Sequence, residues 1–169
     1  MATYEPRTLD FADSAPVRFE STEVIRSTPA EIWPVLCDHE RWPEWMGSLK
    51  SVRPTSTPAS GVGSTREVVL TGGLAFQERF IAWDEPELWS FTALAGPPVA
   101  RGLVERVTVR ELGPGRTEVT YRMAIEPRPG CGLLVKAARR GVERNLSQAL
   151  RNLDGVVEAR RSEPPTTSV

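Results

Sequence analysis

Ser27-Thr-Pro-Ala-Glu-Ile-Trp-Pro-Val-Leu-Cys-Asp-His-Glu-Arg-Trp-Pro-Glu-Trp-Met46 opens on a helix start. Thr28 is a capping residue, Pro29 suits the first helical position, and Glu31 stands where it closes a capping box with Thr28. The helix is expected from Pro29 to about Asp38. Pro34 cannot bond the Ala30 carbonyl, so a kink or a short helix is expected. A second short turn, His39 to Met46, is broken by Pro43. Three of the five tryptophans, Trp33, Trp42 and Trp45, fall in this segment. Each indole buries on the order of 150–250 Å², so the rings belong to a core or to the wall of a cavity. Trp33, on the helix, is read as scaffold.

Working outward, the chain before this segment alternates over Val17–Arg26 and reads as a strand. After it come expected strands at 48–54, 64–71, 74–84, 87–95, 99–112 and 116–126, separated by Gly and Pro. Leu74, Phe76, Glu78 and Phe80 share one face. Leu103, Val107 and Val109 share theirs with Arg101 and Glu105, and Val119, Tyr121, Met123 and Ile125 form another. Such alternation means an antiparallel sheet with one covered face. Beyond Pro129-Gly130 the period changes to about 3.6. Leu134, Ala138, Val142, Leu146, Ala149, Leu153 and Val156 then form the apolar stripe of one long helix ending near Arg160. Its basic face, Lys136, Arg139, Arg140, Arg144 and Arg151, is diluted by Glu143, Asp154 and Glu158 and reads as solvated. The layout is α+β. A curved sheet covered by a single helix leaves space between them, which favours a ligand cavity.

The 169 residues fit one domain. Residues 1–16 are expected to form a disordered arm, 17–161 a single ligand-binding domain, and 162–169 a flexible tail. A formal net charge of −1 argues against nucleic-acid binding by bulk charge. No apolar run approaches the roughly 20 residues of a membrane span, and the N-terminus lacks the layout of a signal peptide. Cys37 and Cys131 are read as reduced thiols in a cytoplasmic protein, Cys37 being a small buried apolar residue. The single histidine, His39, is read as an exposed turn residue, and no metal site is expected.

The anomaly is ionisable groups on inward faces, because an unpaired buried carboxylate is expensive. Glu78 and Glu105 are candidates for acid and base, Arg101 for holding a carboxylate or enolate oxygen, and Tyr121 for donating a proton. The alternative is a structural Glu78–Arg101 pair. Candidates for the ligand wall are Trp42, Trp45 and Met46 at the cavity mouth and Phe76 and Phe80 flanking Glu78. Trp89, Phe91, Leu103, Met123, Val142 and Leu146 join them.

Ile25-Arg-Ser-Thr-Pro-Ala-Glu-Ile-Trp33, Arg41-Trp-Pro-Glu-Trp45, Ile81-Ala-Trp-Asp-Glu-Pro86 and the Gly-rich hairpin before the basic helix together resemble the helix-grip superfamily. That group, also called SRPBCC, includes START domains, Bet v 1-like proteins and bacterial polyketide cyclases/dehydrases. The resemblance covers roughly 17 to 160 and implies a curved antiparallel sheet of about seven strands around the long C-terminal helix. It implies two short helices after the first strand and an apolar or amphipathic ligand, lipid- or polyketide-like. Some relatives carry or sense the ligand; others cyclise or dehydrate it. A binding protein is therefore expected. The alternatives are a polyketide aromatase/cyclase using the acidic, Arg and Tyr groups, and an interaction protein with a vestigial cavity that exposes Trp42 and Trp45. No cofactor, nucleic acid or integral membrane association is expected, and the protein is read as a monomer or homodimer.

Overall fold

The computed structural model describes residues 1–162; beyond Ser162, the tail expected over 162–169 lies outside the described residues. After a two-residue strand, β1 (Ala2–Thr3), the sheet strands are β2 (Val17–Ile25), β3 (Leu49–Pro54), β4 (Thr65–Leu70), β5 (Ala75–Asp84), β6 (Leu88–Gly96), β7 (Ala100–Gly113) and β8 (Arg116–Pro127). They form one curved antiparallel sheet in the order β2-β8-β7-β6-β5-β4-β3. The first long strand thus pairs with the last, Val17 opposite Ile125 and Ile25 opposite Thr117. Gly115, at φ +64°, makes the β7–β8 turn in a region that side chains with a Cβ rarely enter.

The capped helix is α2 (Pro29–Cys37), followed by a 3-10 turn at His39–Glu44. The Thr28 N–H donates to Glu31 Oε2 at 2.8 Å, and the Thr28 hydroxyl donates to the same oxygen at 2.9 Å. These bonds hold the Glu31 carboxyl below its ordinary value. Pro34 lies inside α2, which is nine residues long, in keeping with the short helix expected. The C-terminal helix is divided. A short α3 (Gly132–Ala137) precedes α4 (Arg139–Ser162). Its packed stripe is Leu146, Ala149, Leu150, Leu153 and Val157, and α4 lies chiefly along β2. Leu134, expected on that stripe, is 64% exposed because it precedes the break.

Residues 1–16, expected to be a disordered arm, are placed against the sheet. β1 pairs with the end of β6, Ala2 opposite Gly96. The Glu5 N–H then bonds the Arg101 carbonyl of β7 at 2.7 Å. Tyr4 is buried and donates its hydroxyl to the Pro97 carbonyl at 2.7 Å. One helical turn, α1 (Phe11–Ser14), presents Asp13 to Arg106 and Arg122 on the outer face. Composition hid this because the segment has no period of its own. Its partners are the strand ends that diverge after Thr92 and Val104.

Candidate functional site

A cavity of about 290 Å³ lies between sheet and helix. Its partly exposed lining residues, Ser48, Leu70, Phe76, Met123, Val142 and Asn145, form a mouth beside the first turns of α4. Asn145 Nδ2 donates to Ser48 Oγ at 3.0 Å and ties the two sides together. The deep end is lined by buried Trp42, Phe91 and Leu146 and by four polar groups: Arg66, Glu78, Glu105 and Tyr121. The sequence therefore placed Glu78, Glu105 and Tyr121 correctly on one inward surface. Among the expected ligand-wall residues, Trp42, Met46, Phe76, Phe91, Met123, Val142 and Leu146 line the cavity.

Trp45, Phe80, Trp89 and Leu103 are buried but lie outside the lining. Trp45 and Trp89 brace Trp42 from behind, with ring centroids 5.0 and 5.4 Å away, and the Trp42 N–H is fixed on the Leu36 carbonyl at 2.8 Å. Trp42 and Trp45 are each 1% exposed, so they offer no face to a partner, contrary to the interaction-protein alternative. Trp33 is scaffold, as expected, buried edge-on to Trp83 at 5.7 Å.

Arg101 does not enter the site. Its side chain is 45% exposed and pairs with Glu5 at 2.7 Å on the outer surface. A register shift between Ala100 and Gly102 inserts one extra residue into β7. Such a bulge reverses the alternation on one side of it. From Leu103 onward the inward parity holds, which is why Glu105 is buried and Arg101 is not.

The cation that does line the cavity is Arg66, which the sequence did not single out. Arg66 stands directly opposite Glu78 in the β4–β5 pairing, and its Nε donates to Glu78 Oε2 at 2.7 Å. The cue was its parity: Arg66 is two residues before Val68, which is buried on the same face. The guanidinium carbon lies 4.1 Å from the Trp42 ring centroid, 4.4 Å from Phe91 and 4.9 Å from Phe80. These aromatic faces favour a desolvated cation. Nη1 and Nη2 are buried with no acceptor among the described residues. Buried donors of this kind normally have one.

Burial and the nearby Glu78 charge push the Glu105 carboxyl from 4.5 up to about 8, so at neutral pH it keeps its proton. Tyr121 donates its hydroxyl to Glu105 Oε2, and burial holds that phenol well above its ordinary value. Burial raises Glu78 too, while Arg66 pulls it back. The carboxyl that touches the guanidinium has a partner that favours its charged form, whereas its neighbour Glu105 has only the Tyr121 hydroxyl.

His39 is 4% exposed rather than on the surface. It stacks on Phe80 at 5.3 Å, and burial together with Arg66 lowers it from 6.5 to about 3. It is a neutral core ring behind the site. Cys37 is half-buried, its thiol pushed up to about 12 chiefly by burial; Cys37 and Cys131 are both unbridged. Among the described residues no cluster of His, Cys, Asp and Glu could hold a metal, and no helix is long and apolar enough to cross a membrane.

The family model described as polyketide cyclase / dehydrase and lipid transport matches residues 16–158. Uncharacterized proteins of Mycobacterium tuberculosis and Mycobacterium bovis are 37% identical over 76 residues, 45% of this chain and 46% of theirs. That match spans just under half the length of those relatives. The crystal structure of the ZhuI aromatase/cyclase from a Streptomyces species is similar with a TM-score of 0.72 at 16% identity, covering 90% of this chain and 99% of that one. A START superfamily protein from Mycobacterium smegmatis is similar at 0.70 and 17%, covering 85% and 98%. At these identities the structural likeness concerns the helix-grip fold.

Proposed function

The chain belongs to the polyketide cyclase/dehydrase and lipid transport family, and from that premise we propose that it binds a compact amphipathic small molecule. The apolar body of the ligand lies against Met46, Val68, Phe91 and Met123, with an oxygen-bearing end directed to Arg66. The observation that carries this reading is the buried pair of Arg66 nitrogens without an acceptor in the cavity wall. A guanidinium offers several N–H groups in a fixed fork that suits a carboxylate, an enolate or a ketone oxygen. A volume of about 290 Å³ is at the small end for ligand sites and favours one or two rings over a long chain. The two unbridged thiols support a reducing compartment within this proposal.

Calorimetry with naphthoate and methylnaphthalene tests the reading. Naphthoate is expected to bind at least about tenfold more tightly, the equivalent of roughly 1.4 kcal/mol. That preference is expected to vanish in Arg66→Met/Glu78→Leu, which removes both charges together. Equal affinity of the intact protein for the two probes, or binding of neither, counts against it.

The proton on Glu105 favours a second reading, cyclisation or dehydration of a ketone-bearing ligand. Glu78 takes a proton from the carbon beside the carbonyl, Arg66 holds the enolate oxygen, and Glu105 returns a proton to it. Deuterium exchange at the central carbon of acetylacetone measures this step. Exchange no faster than in Glu105→Gln removes the enzymatic reading and leaves the binding one intact.

A further inference from the structure

The end of the sheet that carries the cavity mouth also exposes large apolar side chains. Leu133 and Leu134, on α3, are 84% and 64% exposed, and Leu74, in the turn between the mouth residues Leu70 and Phe76, is 52% exposed. Antiparallel pairing puts the β4–β5 turn, the end of β8 and the start of α3 at one end of the sheet. Large exposed apolar side chains at one functional edge mark a contact surface. Residues 132–145 carry four basic side chains, Lys136, Arg139, Arg140 and Arg144, against one acidic one, Glu143. Arg139 pairs with Glu143 at 2.6 Å. Among the described residues, no carboxylate lies within ion-pair distance of Lys136, Arg140 or Arg144, and all three are exposed.

We propose that this edge docks on an anionic lipid bilayer, with Leu133 and Leu134 entering the headgroup boundary and Lys136, Arg140 and Arg144 lying against the lipid charge. Apolar tips flanked by basic side chains are the composition that interfacial helices use, and each cation near an anionic leaflet adds to the attraction. The mouth would then face the membrane, so that an apolar molecule crosses between bilayer and cavity without passing through water. Nothing comparable is available to a duplex nucleic acid, which gains from the cations but not from the exposed leucines. The docking surface lies outside the deep polar end of the cavity and stands whether or not Arg66 holds a ligand.

Flotation of the full chain with phosphatidylcholine vesicles containing about 30% phosphatidylglycerol tests this, at about 0.1 M salt. Binding is expected to the mixed vesicles, at least about tenfold weaker to pure phosphatidylcholine, and to fall as salt rises. Leu133→Ser/Leu134→Ser and Lys136→Gln/Arg140→Gln/Arg144→Gln are each expected to lose at least about tenfold. Both change exposed residues only, and unchanged calorimetry with naphthoate verifies that the fold and cavity persist in them. Equal binding to both vesicle types, wild-type binding by either variant, or binding of duplex DNA in place of vesicles overturns the proposal. Vesicle binding without naphthoate binding leaves it standing and removes only the ligand reading.

Discussion

Glu105 and His39 sit a few side chains apart and are both held uncharged by burial, with opposite consequences for pH. The folded chain keeps the Glu105 proton up to about pH 8, whereas the unfolded chain releases it near 4.5. Stability therefore falls as pH rises through that window. The folded chain refuses a proton at His39 down to about pH 3, whereas the unfolded chain takes one near 6.5. Stability therefore falls as pH drops through that window. One proton corresponds to a slope of about 1.4 kcal/mol per pH unit, so the two effects oppose each other between about 4.5 and 6.5. Urea unfolding across pH is expected to show that plateau, with a decline above about 6.5 that Glu105→Gln abolishes and an acid decline that His39→Phe lessens. Arg66→Ala should cost about 3–5 kcal/mol by stranding Glu78, and Arg66→Met/Glu78→Leu should recover most of that. Glu78, Glu105 and Tyr121 were legible in the sequence because period-two alternation names a face. His39 was not, because its burial comes from Phe80, which is remote in sequence.

At the scale of elements, the strand boundaries were almost fully readable, since most strands from β3 onward end at or within two residues of a Gly or Pro and several, such as β4 and β8, alternate. What alternation cannot report is a bulge. The extra residue near Arg101 moved the expected cation to the outer surface, and the cationic position passed to β4, where a charged residue precedes a short apolar run. The N-terminal arm was missed for a related reason: two paired residues make no pattern. Its anchoring has a measurable size. Tyr4→Ala is expected to destabilise by about 3 kcal/mol through the lost ring, and Tyr4→Phe by only about 1 kcal/mol through the bond to Pro97. Equal unfolding midpoints in urea for all three proteins would show that the arm adds nothing. On the helix that covers the sheet, Leu153→Ala, at a fully buried position, is expected to cost about 2–5 kcal/mol.

At the scale of the molecule, one sheet and one long helix enclose a space whose mouth is apolar and whose far end is charged. The order of elements made that container legible from sequence, while the charge arrangement inside it depended on which residues meet across strands. Because β2 pairs with β8, so that the sheet is completed only when strands from opposite ends of the domain meet, refolding measured by stopped-flow fluorescence is expected in milliseconds to seconds rather than microseconds. The same pairing bears on how the protein is made. While a ribosome is still translating β8, β2 has no neighbour in the sheet and β7 lacks one of its two. Both then offer open hydrogen-bonding edges to other chains. A message truncated before codon 116 would therefore not yield a smaller container. It would yield two sticky edges and a waterlogged Arg66, a product for proteases and chaperones.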